Sequence, residues 1–243
     1  MAPLFRIEPV EVARRQADSS SFLLHTDAGR MLTLVYRFWL VHGPDGITVV
    51  DTGLTAEEAA RRGIAVERGL KEALAPYGLG PDDVGTLILT HLHWDHACAV
   101  DALPNATVWL QRAEADFFND PLRTHPAIDR YFGRHDVIGD LLRSPRLNLV
   151  EGEAELPNGL RLVPLGGHTP GLQGVVLPTH EGRAVITSDA VPFNRNYSDD
   201  LPNGILQDLG QAITSLARLR ALRPDVIFTG HDPIPELRTG TSS

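Results

Sequence analysis

The chain has 243 residues, 42% of them hydrophobic, with 31 acidic against 22 basic side chains and a formal net charge of −9. That length allows one large domain or two small ones with a sizeable core, and a charge spread so thinly, with no basic stripe, argues against nucleic acid as a partner. A single cysteine, Cys98, excludes an intrachain disulfide framework and fits a reducing compartment.

The opening MAPLFRIEPVEVARR lacks an apolar stretch followed by a small-residue cleavage site, so no signal peptide is read there. The most apolar run, MLTLVYRFWLV, is 11 residues long and contains Arg37, too short to span a bilayer. A soluble, cytoplasmic protein with no membrane partner is expected. Residues 32–42 and GITVVDTG (46–53) read as strands joined at the turn HGPDG. Thr55 suits an N-cap, and the segment after it reads as helix, broken near Gly63 and stopped near Gly78. VGTLILT and ATVWLQ read as strands, and QRAEADFF starts a helix.

Residues 119–147 read as irregular, the body of a lid-like insertion around 111–148. Strands resume at LNLVEG, LRLVPLGG, LQGVVLP and GRAVITSDA, a helix covers about 206–222, and DVIFTG is a last strand before His231. This order fits neither strict βαβ alternation nor an all-β protein. It fits an α+β class, two mixed sheets face to face with helices outside. No repeat, low-complexity segment or linker is evident, so residues 1–243 are expected to form one domain.

The stretch LILTHLHWDHACAV places His91, His93, Asp95 and His96 within six residues, directly after a strand. Neutral imidazole and carboxylate are the ligands of zinc and related divalent ions. Side chains two apart in extended chain point the same way, so His91 and His93 can grip one ion. Asp95 and His96, where the chain turns into helix, can face a second. Without a metal, four such groups at a strand end would be costly to desolvate. His168, Asp189 and His231 repeat the pattern of a polar residue in the loop after a strand, where rigid strands can hold it. Taken singly, each also suits a surface or capping role. His25, His42, His125, His135 and His180 read as strand-end or loop residues, and Cys98 as a small buried residue.

HLHWDH resembles the HxHxDH signature of the metallo-β-lactamase superfamily, and GGHTPG, TSDA and TGHD follow in that superfamily's order, with VVDTG similar to its early strand end. The resemblance covers roughly residues 32–233. It implies an αββα sandwich, a first ion on His91, His93 and His168, a second on Asp95, His96 and His231, and Asp189 bridging them. Asp51 takes a supporting place. The cofactor so implied is two divalent ions, Zn2+ first, with Fe, Mn or Co as alternatives. Length and the opening strands are most similar to the lactonase-like branch that includes the N-acyl homoserine lactonases. Those enzymes carry a substrate-contacting tyrosine three residues after the bridging aspartate. This chain has Pro192 there, with Tyr197 nearby as a replacement or as a packing residue.

The expected reaction opens a lactone or related cyclic ester through a hydroxide shared by two ions about 3.5–4 Å apart, with Asp95 returning a proton to the leaving oxygen. Phe117, Phe118, Tyr131, Phe132, Phe193 and Tyr197 offer a wall for an acyl chain or ring of a small-molecule substrate, or plain core. The resemblance alone implies a homodimer. Hydrolysis of another ester, an amide or an imide on the same site stays open, as does a mononuclear iron persulfide dioxygenase-like oxidoreductase.

Overall fold

The computed structural model describes residues 3–239. In chain order these form β1 (Arg6–Asp18), β2 (Met31–Gly43), β3 (Gly46–Val50), α1 (Ala56–Arg61), α2 (Leu70–Leu74), β4 (Thr86–Ile88), α3 (Trp94–Ala97), β5 (Thr107–Gln111), α4 (Arg112–Asn119), α5 (Pro126–Asp129), α6 (His135–Leu142) and β6 (Leu147–Val150). There follow β7 (Ala154–Glu155), β8 (Arg161–Pro164), β9 (Gln173–Thr179), β10 (Gly182–Ser188), α7 (Asn194–Ser198), α8 (Leu209–Ala221), β11 (Val226–Thr229) and β12 (Glu236–Arg238). The strands make two six-stranded sheets, in the orders β1-β2-β3-β4-β5-β6 and β12-β11-β10-β9-β8-β7. Both are mixed, as expected for the α+β class: β2–β3 is antiparallel and β3–β4–β5–β6 parallel, while β10 pairs parallel with β11 and antiparallel with β9. Among the described residues no helix is long and apolar enough to cross a membrane.

The chain divides into two compact units. Of the described residues, the first comprises 7–14 and 36–151, the second 3–6, 15–35 and 152–239. Each draws on separated stretches of chain, which is why no linker is legible.

In the first unit the hairpin forms where HGPDG predicts it, with Gly43 opposite Gly46 and Trp39 opposite Val50. Residues 38–41 of β2 and the ends of β3 and β4 are fully buried, the continuous apolar run of a strand covered on both faces. Thr55 caps α1 through the Glu58 amide at 3.1 Å. The helix breaks near Gly63 as expected, into two short pieces that stop before Gly78. Gly63, at φ +67°, ends α1 with paired bonds from its own amide to Ala60 O and from the Ile64 amide to Ala59 O, a Schellman stop. The Glu67 amide then bonds Val12 O of β1, which draws residues 62–69 out of helix. β1 itself was not expected, because RIEPVEVARRQAD is rich in charge; its alternating Val10 and Val12 are the buried face. The stretch expected to be irregular, 119–147, carries α5 and α6.

Cys98 is buried as expected. Its sulfur accepts from the Thr55 amide at 3.3 Å, and burial pushes the thiol up to about 11.

In the second unit α8 starts at the N-cap Asp208, which accepts from the Gln211 amide at 2.8 Å. Ala212, Ser215, Leu216 and Leu219 form its buried stripe at helical spacing. Leu216 and Leu219 pack with Val163, Val185 and Ile227 of the sheet, each contributing about 1.5–3 kcal/mol. The approach is close: at Gly167, φ +127°, an added Cβ would lie 2.5 Å from the backbone of Ala212.

Two outcomes follow from this packing. Gly167→Ala should cost about 3 kcal/mol or more, from combined strain and overlap, read from urea unfolding; a loss under about 1 kcal/mol would contradict a tight α8 contact. Cys98, neutral and buried, should resist iodoacetamide in native protein at pH 8 and react once urea unfolds the chain.

Candidate metal centre

The first unit builds a cluster of donors around the end of β3. Asp51 is held in the left-handed region, φ +61°, and is 1% exposed. Its amide bonds Ile88 O of the neighbouring strand at 2.8 Å. Its carboxylate accepts from the Thr90 amide (2.7 Å), the Thr90 hydroxyl (2.8 Å) and His96 Nδ1 (2.8 Å). The backbone of His96 is tied separately, its carbonyl accepting from the amide and hydroxyl of Thr52 at 2.7 and 3.0 Å. The loop between His91 and His93 is held by buried Glu114, which accepts from the Leu92 amide at 2.9 Å.

This scaffold gathers the four residues of the signature, all buried. The His91 and His93 rings lie 4.7 Å apart, and those of His91 and His96 4.2 Å apart. The ligand atoms of His91 and His93, of His91 and His96, and of Asp95 and His96 fall within 4.8 Å of one another. His91 Nδ1 sits 3.1 Å from the Thr90 hydroxyl. With Nδ1 of His96 donating to Asp51, its Nε2 carries the lone pair, the form in which imidazole binds a divalent ion.

The second unit assembles three more donors at the ends of β8, β10 and β11. His168 follows the glycine pair 166–167, and its Nδ1 donates to Ile205 O at 2.6 Å. His231 follows Gly230; its Nδ1 donates to Val35 O at 2.9 Å, and its own carbonyl accepts from the Val35 amide at 3.0 Å. Asp189 stands with Oδ2 3.1 Å from His168 Nε2 and Oδ1 2.9 Å from His231 Nε2. Gly230 makes room for it, since a Cβ there would lie 2.8 Å from Asp189 Oδ1. Asn203, 2% exposed, steadies the turn by donating to Asp189 O at 2.9 Å.

The geometry fits cations. Both Nδ1 atoms are occupied as donors, so two imidazole lone pairs and two carboxylate oxygens face one another in a buried setting. Acceptors set this close belong around positive charge, and imidazole with carboxylate is a donor set of zinc-like ions.

The remaining histidines lie in other surroundings. His42 pairs with Glu8 at 3.1 Å, His125 accepts from the Ala127 amide at the start of α5, His135 pairs with Asp129 at 3.0 Å, and His25 and His180 are exposed. The Tyr197 ring packs on the α8 cluster with the Arg220 guanidinium 4.5 Å above it, the surroundings of a packing residue. Phe117, Phe118, Phe132 and Phe193 are buried. Thr52, Glu114 and Asn203 were not anticipated. A lone polar residue in a helix or turn carries no local signal, although the PNG turn at 202–204 marks a place where Asn is common.

Residues 35–231 match the metallo-beta-lactamase superfamily. The chain is 27% identical to the N-acyl homoserine lactonase AiiA of Bacillus thuringiensis subsp. kurstaki, over 92% of this chain and 91% of that protein. It is 29% identical to the N-acyl homoserine lactonase AttM of Azorhizobium caulinodans, over 81% of each. A solved N-acyl homoserine lactone hydrolase, with the product N-hexanoyl-L-homoserine bound at its catalytic metal centre, is similar with a TM-score of 0.79 and 25% identity, covering 96% of this chain and 95% of that one. Signature, sheets and relatives agree: the chain belongs to the metallo-beta-lactamase superfamily, in its lactonase-like branch.

Proposed function

We propose that this metal-dependent hydrolase opens a lactone or related cyclic ester on two divalent ions, zinc first among the candidates. His91, His93 and His168 would hold one ion, Asp95, His96 and His231 the other, with Asp189 shared. The observation that carries a two-ion reading is Asp189, which offers one oxygen to His168 Nε2 and the other to His231 Nε2. With a separate oxygen turned to each imidazole, the carboxylate can serve two ions, one beside each histidine. The pairing of donors in the HxHxDH loop supports the same reading.

Bound ions of this kind supply Lewis acidity, polarising a carbonyl and lowering the pKa of water from 15.7 toward about 7. The chain's own residues do the rest. Asp51 orients His96 and keeps its Nε2 basic, and the Ile205 and Val35 carbonyls do so for His168 and His231. The Asp95 carboxylate, in the first turn of α3 and the least buried of the four signature residues, would take the proton given up by the attacking water and pass it to the leaving oxygen. Tyr197 is given no part. The named relatives act on N-acyl homoserine lactones, which makes those the first substrates to try. Pro192, in place of the tyrosine that the resemblance implies, widens the trial to other lactones, esters and imides. A reducing cytoplasm suits a chain whose one cysteine is buried.

The deciding assay is pH-indicator hydrolysis of lactones, esters, imides and β-lactams on metal-analysed protein. Two divalent ions per chain and lactone opening are expected; one iron with oxygen uptake would replace hydrolysis by dioxygenation. His93→Ala or Asp95→Asn should lower kcat/KM by about 10³-fold or more with an unchanged circular dichroism spectrum, and normal turnover in either would sink the assignment. Asp51→Asn keeps the shape and removes the charge, so zinc affinity should fall about 10–100-fold; chelator competition showing wild-type affinity would remove Asp51 from the centre.

A further inference from the structure

The segment 130–134 is fastened to the loop that carries the signature. The Arg62 guanidinium lies 4.2 Å above the Trp94 ring, between His93 and Asp95 in sequence. It pairs with buried Glu58 at 2.7 Å and donates to the Arg130 and Phe132 carbonyls at 3.4 and 3.2 Å. The Trp94 amide donates to Tyr131 O at 2.9 Å. Gly133 permits the approach, since a Cβ there would lie 2.9 Å from Glu58 and 3.0 Å from Trp94. These ties set two rings on His93. Tyr131 stacks on its imidazole, 5.4 Å between centroids at 29°, and Phe132 meets it edge-on at 5.1 Å and 85°.

We propose that Tyr131 is a positioning residue for His93, its ring fixing the plane of the imidazole so that Nε2 is aimed before an ion arrives, with Arg62 holding Tyr131 in place. This rests on the metal reading above. The torsion that swings an imidazole about its Cβ–Cγ bond is soft and broad. A flat ring against one face and an edge against another confine it. The Tyr131 hydroxyl points to a different task, accepting from Arg130 at 2.7 Å, so the stacking face and not the phenol is what His93 uses.

The test is zinc binding to the metal-free protein, measured by competition with a chromophoric chelator. Tyr131→Phe keeps the ring and should bind within about twofold of wild type, whereas Tyr131→Ala should weaken one bound ion about tenfold or more. Arg62→Ala, which leaves both rings in the chain, should act in the same direction. In a His93→Ala background, neither Tyr131→Ala nor Arg62→Ala should weaken zinc binding further, which a general loss of structure would not reproduce. Tyr131→Leu replaces Tyr131→Ala if the latter fails to fold. Wild-type affinity in the alanine or leucine variant, or an equal loss with His93 already removed, overturns the inference and leaves the hydrolase reading intact. A wild-type chain that binds no divalent ion overturns both.

Discussion

One buried carboxylate organises the first unit's donor cluster. Asp51 sits at the end of β3 in a backbone conformation that a side chain other than glycine adopts only when its surroundings compensate. Compensation comes from three hydrogen bonds, two to Thr90 and one to His96. Thr90 leads directly into His91, and His96 ends the signature. A single group therefore fixes both ends of the loop, and hydrogen bonds to a charged acceptor are about twice as strong as neutral ones. Remove that charge and the histidines lose the reference from which their angles are set.

The second unit solves the same problem differently. Its donors come from three separate strand ends, and each histidine is oriented by a backbone carbonyl: Ile205 O for His168, Val35 O for His231. Carbonyls cannot titrate or rotate independently of the chain, so these orientations are as rigid as the segments that bear them. The glycines at 166, 167 and 230 serve closeness more than flexibility, since a Cβ at any of them would meet neighbouring atoms at under 3 Å. His91 and His96 thus have Nδ1 occupied by hydroxyl and acidic side chains, and His168 and His231 by main chain, which leaves Nε2 of each to face outward from its tie.

The stretch expected to be irregular, 119–147, carries regular structure. Its Arg123, Arg130 and Arg134 each find partners, Arg134 bridging to Asp101 and Cys98 O. Arginine-rich sequence between short helical pieces looks irregular because no long apolar period runs through it. Part of its order comes from guanidinium bonds to distant carbonyls, Arg134 to Cys98 O and Arg146 to Leu103 O and Val100 O, which leave no local signature. The same is true of β1, whose strand nature depends on pairing in the sheet and on a short Val10–Val12 alternation amid charge.

By itself the sequence determined the chemistry: a histidine–aspartate cluster at a strand end, with His168, Asp189 and His231 recurring after later strands, is legible because ligand type and strand-end position are local properties. It also determined the hairpin at HGPDG, the Thr55 cap, the α8 helix and the buried Cys98, all set within a few residues. Tertiary structure alone decided which nitrogen His96, His168 and His231 present, that Asp189 addresses two histidines, that Tyr131 stacks on His93, and that Tyr197 packs against α8. Those are choices among rotamers and long-range partners of nearly equal local energy, and only contacts between residues tens to hundreds of positions apart separate them.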